Sequence, residues 1–221
     1  MSENDSGYEP TKFAALHPIL QEAQRVGALS GAPIDQIISH ALWFARAISD
    51  NAKSVVDLGS GAGVPGLIVA IDRPDLELVL VDRRSGRTDS LTRAVSALNL
   101  SARVKVVCAE IDAIARDNKY AHHFDAAISR GLGPPNETLK LSTLLVKPGG
   151  VIVISEPPLS TQSRWDAKHV SDLGLEGPER VGAVAGFGGQ TSAVPGGPET
   201  GSGAALAPCT QLCTISSPRP S

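Results

Sequence analysis

Cysteine is scarce in this chain. There are three in 221 residues, Cys108, Cys209 and Cys213, and they make no zinc pattern. Cys108 falls in a predicted strand, where a small buried hydrophobe is the expected role. Net positive charge is also missing: 20 Lys and Arg stand against 23 Asp and Glu, for a net charge of −3. No global basic field exists to draw the protein onto a nucleic acid, so any such contact has to be local. No apolar run is long enough to span a bilayer. The opening Met-Ser-Glu-Asn-Asp-Ser-Gly has no basic segment followed by an apolar core, so a signal peptide is not expected and a cytoplasmic location is. Over residues 181–221 charge itself nearly vanishes, with Glu199 and Arg219 alone in a stretch rich in Gly, Ala, Ser, Thr and Pro. No strand or helix period is visible there, and the stretch is expected to be poorly ordered because it cannot bury enough surface to offset its ordering entropy.

What is present is a hydrophobic content of 42%, enough for a substantial core. Residues 12–27 carry apolar positions at helical spacing, with Pro18 expected to shorten that helix near its start. Residues 33–49 form a stronger helix, with Pro33 at a plausible first position and an apolar face from Ile34 to Ile48; His40 and Trp43 flank it as packing residues. From Ser54 the pattern alternates. Strands are predicted near 54–58, 77–81, 103–107, 124–129 and 151–154, and helices over 64–72, 85–99, 111–117 and 135–145. Lys147-Pro148-Gly149-Gly150 reads as a turn entering the fifth strand. Strands alternating with helices predict a doubly wound, mainly parallel α/β sheet. Three segments follow: an N-terminal helical extension over 1–50, a central α/β domain over 51–180, and a Gly/Pro/Ala-rich tail over 181–221.

The most informative stretch is Val-Val-Asp-Leu-Gly-Ser-Gly-Ala-Gly-Val-Pro-Gly at 55–66. An apolar run ends in Asp57, a glycine loop follows, and a helix-compatible run begins at once. Glycines let the turn take positive φ and let backbone N–H groups approach a ligand. Gly61, Gly63 and Gly66 fit the dinucleotide fingerprint G-x-G-x-x-G. Gly59, Gly61 and Gly63, with Asp57 ahead, fit D-x-G-x-G-x-G, the first motif of S-adenosylmethionine methyltransferases. Asp57 favours the second fit. A carboxylate there attracts the ammonium of S-adenosylmethionine, through water or backbone, and repels the pyrophosphate of NAD.

Asp82 ends the second strand about twenty residues after the loop, where an acid suits the two ribose hydroxyls of an adenosine. Ala109 and Glu110 follow the third strand, where a backbone N–H and a small or acidic side chain border an adenine; Glu110 also suits the first turn of a helix. Arg130 ends the fourth strand and can hold a cofactor carboxylate or a substrate. Arg83, Arg84, Arg87 and Arg93 cluster around the second predicted crossover helix, as a solvated face or as phosphate contacts. Gly133-Pro134-Pro135-Asn136 lacks the polar and aromatic flanks of an amine-methylating motif and reads as a rigid loop leading into a helix.

These residues resemble one family. Asp57 to Leu67, Arg73 to Leu76, Leu80 to Asp82, Arg87 to Leu91, Ala109-Glu110, Phe124-Asp125, Ile128 to Arg130 and Leu145 to Gly150 are similar to the ribosomal small-subunit methyltransferase G family, also called glucose-inhibited division protein B. The Val-Pro-Gly after the loop separates it from generic methyltransferases. The resemblance implies a class I S-adenosylmethionine-dependent, Rossmann-like fold and methylation of N7 of a guanine in 16S rRNA. It implies cofactor contacts at Gly59, Val64, Ala109, Glu110 and Arg130, beside Asp57, Gly61, Gly63 and Asp82 from the loop and strand ends. Guanine N7 carries no proton, so no catalytic acid or base is expected, and no metal. The expected partner is 16S rRNA or the small ribosomal subunit, and the expected state a monomer. A small-molecule methyltransferase of the same fold, a non-catalytic nucleotide-binding module and an NAD-dependent oxidoreductase are the competing readings. The segment before the first strand, Ser155 to Pro158 and residues 181–221 do not follow the family's pattern.

Overall fold

β-branched and aliphatic residues concentrate in short runs separated by glycine, proline and acidic turns, and each run becomes a strand of one sheet. The computed structural model describes residues 8–156, 165–180 and 211–216. The strands are β1 (Ser54–Leu58), β2 (Glu77–Asp82), β3 (Val104–Cys108), β4 (Phe124–Ser129), β5 (Val146–Glu156), β6 (Glu176–Arg180) and β7 (Gln211–Ser216). The helices are α1 (His17–Arg25), α2 (Ile34–Ala47), α3 (Gly66–Asp72), α4 (Ser85–Ala97), α5 (Ile111–Ala115), α6 (Pro135–Thr143) and α7 (Ala167–Asp172). The sheet order is β3-β2-β1-β4-β5-β7-β6. The first five strands pair in parallel, and β7 runs antiparallel between β5 and β6.

Alternate strand residues feed two hydrophobic layers, as a sheet covered on both faces requires. Val55, Leu78, Leu80, Ala126, Ile128 and Val153 join residues of α1 to α4 in one core. Val56, Leu58, Val81, Ala127, Ile152 and Ile154 join residues of α5, α6 and α7 in the other. The two N-terminal helices thus share a core with the sheet. Lys12 Nζ ties the chain before α1 to Asp72 at 2.6 Å. Arg103 is half-buried, and its guanidinium donates to the carbonyls of Ala70, Arg73 and Leu76 at and beyond the end of α3.

Several expectations are corrected. The first helix starts at His17, with Pro18 in its opening turn, and residues 10–16 are turns. A proline needs no N–H in that position. Pro33 is the N-cap of α2 rather than its first residue. Cys108 is exposed, because β3 is the edge strand and its side chain lies at the open end. Residues 211–216, inside the stretch read as poorly ordered, form β7; main-chain pairing on both sides orders a segment whose composition alone did not indicate it. β6 ends at Arg180, just ahead of that stretch, and Cys209 lies outside the described residues.

Lys147-Pro148-Gly149-Gly150 is an irregularity within β5, not a turn ahead of it. Phe124 pairs with Val146 and Ala126 with Val151, so four residues bulge opposite Asp125. Asp125 ties that bulge to the entry of β1. Its Oδ2 accepts from the Lys53 N–H, the Ser54 N–H and the Ser54 hydroxyl, each at 2.9 Å, and its Oδ1 accepts from Lys147 Nζ at 3.0 Å. Desolvation acts to raise its pKa, but donation from Lys53, Lys147 and Ser54 outweighs it and holds the carboxyl at about 2. The stabilisation is therefore complete above the unfolded carboxylate value of about 3.9 and is lost as pH falls toward 2. Urea unfolding should find Asp125→Ala less stable than wild type by about 1–3 kcal/mol at pH 7. The gap should narrow between pH 4 and pH 2.

Candidate cofactor and active site

The strand order reverses between β1 and β4. In open α/β sheets that point leaves a crevice at the carboxyl ends of the strands. Leu58 pairs with Ser129, so the chain leaves β1 at Gly59 and β4 at Arg130 on opposite sides of this crevice.

The glycine loop is fixed by main-chain bonds. The N–H groups of Gly59 and Ser60 both donate to Val81 O at 2.9 Å, and Gly63 N–H closes a turn on Ser60 O at 2.7 Å. Gly59, Gly61 and Gly63 have φ of +73°, +55° and +87°, in the left-handed region that disfavours side chains. Space is short as well at Gly66, a further position, and again at Gly59. A Cβ on Gly66 would lie 2.5 Å from Asp57 Oδ2, and one on Gly59 2.6 Å from Leu132 Cδ1.

Asp82 organises the neighbouring turn. Its Oδ2 accepts from Gly61 N–H at 3.0 Å and its Oδ1 from Arg84 N–H at 2.9 Å. Arg87 Nη1 stands 3.6 Å from Oδ2. Each oxygen keeps a lone pair, so the carboxylate can still accept from two ribose hydroxyls. Ala109 N–H donates to Asp82 O at 3.1 Å, which places the end of β3 beside it. Glu110 is the N-cap of α5, makes no side-chain cap bond, and has its carboxylate 3.6 Å from Arg83 in a solvent-exposed pair.

Asp57 and Val64 are both buried at the glycine loop. Val64 is buried in the core. The Asp57 side chain is wholly buried; Oδ2 accepts from Gly66 N–H at 3.1 Å, and Oδ1 has no partner among the described residues. Desolvation raises its pKa to about 7, the nearby Ser60 hydroxyl and Gly66 N–H oppose that, the Asp82 charge raises it further, and Arg130 lowers it. Arg130 is half-buried and among the described residues makes no hydrogen bond or ion pair. Desolvation lowers its pKa, partly offset by Asp57.

Thus Gly59, Gly61, Gly63, Asp82 and Ala109 meet in one hydrogen-bonded stretch at the ends of β1, β2 and β3, with Arg130 across the crevice. Arg87, read from the sequence as part of a helix face, also faces Asp82. Leu132, which touches Gly59, carried no sequence signal beyond lying two residues after Arg130. Among the described residues there is no group of three or more His, Cys, Asp or Glu placed to hold a metal ion, and no helix long and apolar enough to cross a membrane.

This architecture is the class I S-adenosylmethionine-dependent methyltransferase fold. It matches an S-adenosylmethionine-dependent O-methyltransferase from Thermotoga maritima with a TM-score of 0.61 at 13% identity, over 92% of this chain and 72% of that one. The chain belongs to the rRNA small subunit methyltransferase G family, whose model matches residues 30–158. Ribosomal RNA small subunit methyltransferase G of Moorella thermoacetica is 36% identical over 117 residues, covering 53% of this chain and 48% of that protein. The protein of the same name from Salinispora arenicola is 35% identical over 129 residues, covering 57% and 53%. The chain spans about half the length of these curated relatives.

A raised folded-state pKa means that the folded chain holds the Asp57 proton more tightly than the unfolded one. Its carboxyl therefore favours folding most at low pH and costs stability as pH rises from about 4 to about 7. Asp57→Asn keeps an acceptor for Gly66 N–H and cannot ionise. Denaturant titrations across pH should show the variant gaining on wild type through that window, by no more than about 1.4 kcal/mol per pH unit, and levelling above it.

Proposed function

We propose that the protein binds S-adenosylmethionine across the carboxyl ends of β1 to β4 and methylates N7 of a guanine in 16S rRNA on the small ribosomal subunit. The observation that carries this reading is the placing of two groups with bonding capacity to spare on either side of the switch-point crevice. Asp82 retains acceptor capacity at the end of β2, and Arg130 presents a guanidinium with no partner among the described residues. The first suits ribose hydroxyls and the second a carboxylate, which is how an adenosine joined to an amino acid divides its polar groups. The donor set fits that cofactor without a metal. Family membership supports the choice of rRNA as substrate, and a ribosomal substrate supports a cytoplasmic place of work.

The chain's own residues then have defined tasks. Gly59, Gly61 and Gly63 present backbone without Cβ atoms in the way, Asp82 holds the ribose, Ala109 and Glu110 border the base, and Arg130 orients the carboxylate. Bound there, S-adenosylmethionine would supply an electrophilic methyl to the N7 lone pair, the C–S electron pair leaving on sulfur and the positive charge passing to the purine. N7 has no proton to lose, so the protein needs no general base. Alignment and exclusion of water are the contributions left to it.

Transfer of labelled methyl groups into small subunits lacking this modification, set against free small molecules, tests the proposal; label in small molecules alone would overturn it. Calorimetry should find Asp82→Ala binding S-adenosylhomocysteine more weakly by about 1–3 kcal/mol, the cost of lost acceptors. An unchanged affinity would remove Asp82 from the site. Arg130→Lys keeps charge but loses the planar fork, and should turn over more slowly. Wild-type kinetics in that variant would assign Arg130 to structure instead.

A further inference from the structure

The two loops that border the crevice touch at one side chain. Leu132 Cδ1, Cγ and Cβ lie 2.6, 3.7 and 3.8 Å from where a Cβ on Gly59 would stand, so its isobutyl group rests on the bare face of Gly59. Leu132 is half-buried and packs at the margin of the second hydrophobic core. Its neighbours have no such support. Gly131 has φ of +64°, and a Cβ at Gly131 or Gly133 would meet nothing within 4 Å. Leu132 is therefore an apolar group held out on two unpacked glycines, two residues beyond Arg130 and directly against the first glycine of the loop.

We propose that Leu132 is a positioning residue for methyl transfer, forming the apolar wall on the β4 side of the transferring methyl and against the incoming base. The inference rests on the functional reading given above. With the ribose at Asp82 and the base of the cofactor at Ala109, both on the β2 and β3 side, the remaining part of the cofactor runs toward Gly59 and Arg130. Leu132 stands at that end. An aliphatic side chain there cannot hydrogen-bond water, so it keeps the sulfonium end dry and presents an apolar surface to the target ring. Leu132 follows β4 and Asp82 ends β2, with β1 between the two strands in the sheet, so adenosine binding is left to other residues. Its loss should thus act on the chemical step and not on cofactor affinity.

The test combines calorimetry with S-adenosylhomocysteine and single-site kinetics on unmethylated small subunits. Leu132→Ala should bind S-adenosylhomocysteine within about threefold of wild type, while kcat falls about tenfold or more, the scale expected when reacting atoms are misplaced. Leu132→Met, which restores apolar volume, should recover most of that rate. An unchanged kcat in Leu132→Ala would overturn the proposal. So would a loss of rate matched by an equal loss of affinity, which would make Leu132 a support for the glycine loop, and so would a failure of Leu132→Met to recover. If the wild-type protein binds S-adenosylhomocysteine but methylates no small subunit, the functional reading fails first and the proposal with it, before any variant is compared.

Discussion

The Asp82 carboxylate is the tie on which the site depends. One oxygen accepts from the glycine loop at Gly61, and the other from Arg84 at the entry to α4. Two segments that leave different strands are thereby held by a single side chain only 5% exposed. Backbone amides in such turns have no secondary-structure partner, and leaving them unsatisfied in a buried place would cost more than the bonds gain. In the proposed function the same carboxylate is the acceptor for a ribose. Holding the loop and offering a ligand contact are thus one electrostatic arrangement, with Arg87 nearby to balance its charge.

Beneath that arrangement lies a less settled carboxyl. Asp57 reaches only Gly66 N–H with one oxygen and nothing with the other among the described residues. It stabilises the start of α3 by accepting that bond, yet it is buried deeply enough that its charged form is costly. The motif places an acid at this position, and the reading of the motif had it attract the cofactor's ammonium through water or backbone. The geometry gives it a position under the loop, where it meets Gly66 N–H and the fields of Asp82 and Arg130.

Much of the fold was legible because its strands are short, apolar and bounded by strong punctuation. β1 and β4 coincide with their predicted limits, since Asp57, Gly59, Arg130 and Gly131 mark their ends sharply. Elsewhere the signal was local and the answer was not. Lys147 to Gly150 has the composition of a turn, but the pairing of Val146 with Phe124 draws it into β5. Cys108 sits on an apolar run, but only the sheet order reveals that β3 is an edge. β7 was hidden because a composition argument averages over a long stretch and cannot detect six residues ordered by partners distant in sequence. In the site, glycines and acids declared themselves because their chemistry is rare outside such loops. Leu132 did not, because a leucine in a loop is informative only when its neighbour in space is known.

β7 lies between β5 and β6 although it follows both in sequence. Six of its residues pair with Val151 to Glu156, and its other edge receives β6. A ribosome delivers the chain in the opposite order, making β5 and β6 first and β7 only after residues 181–210 have been added. Until then the open side of β5 offers unpaired N–H and C=O groups, and β6 has no strand to join. The growing polypeptide thus carries a vacant berth in its sheet, which its own later segment has to reach before the strand of a neighbouring nascent chain does.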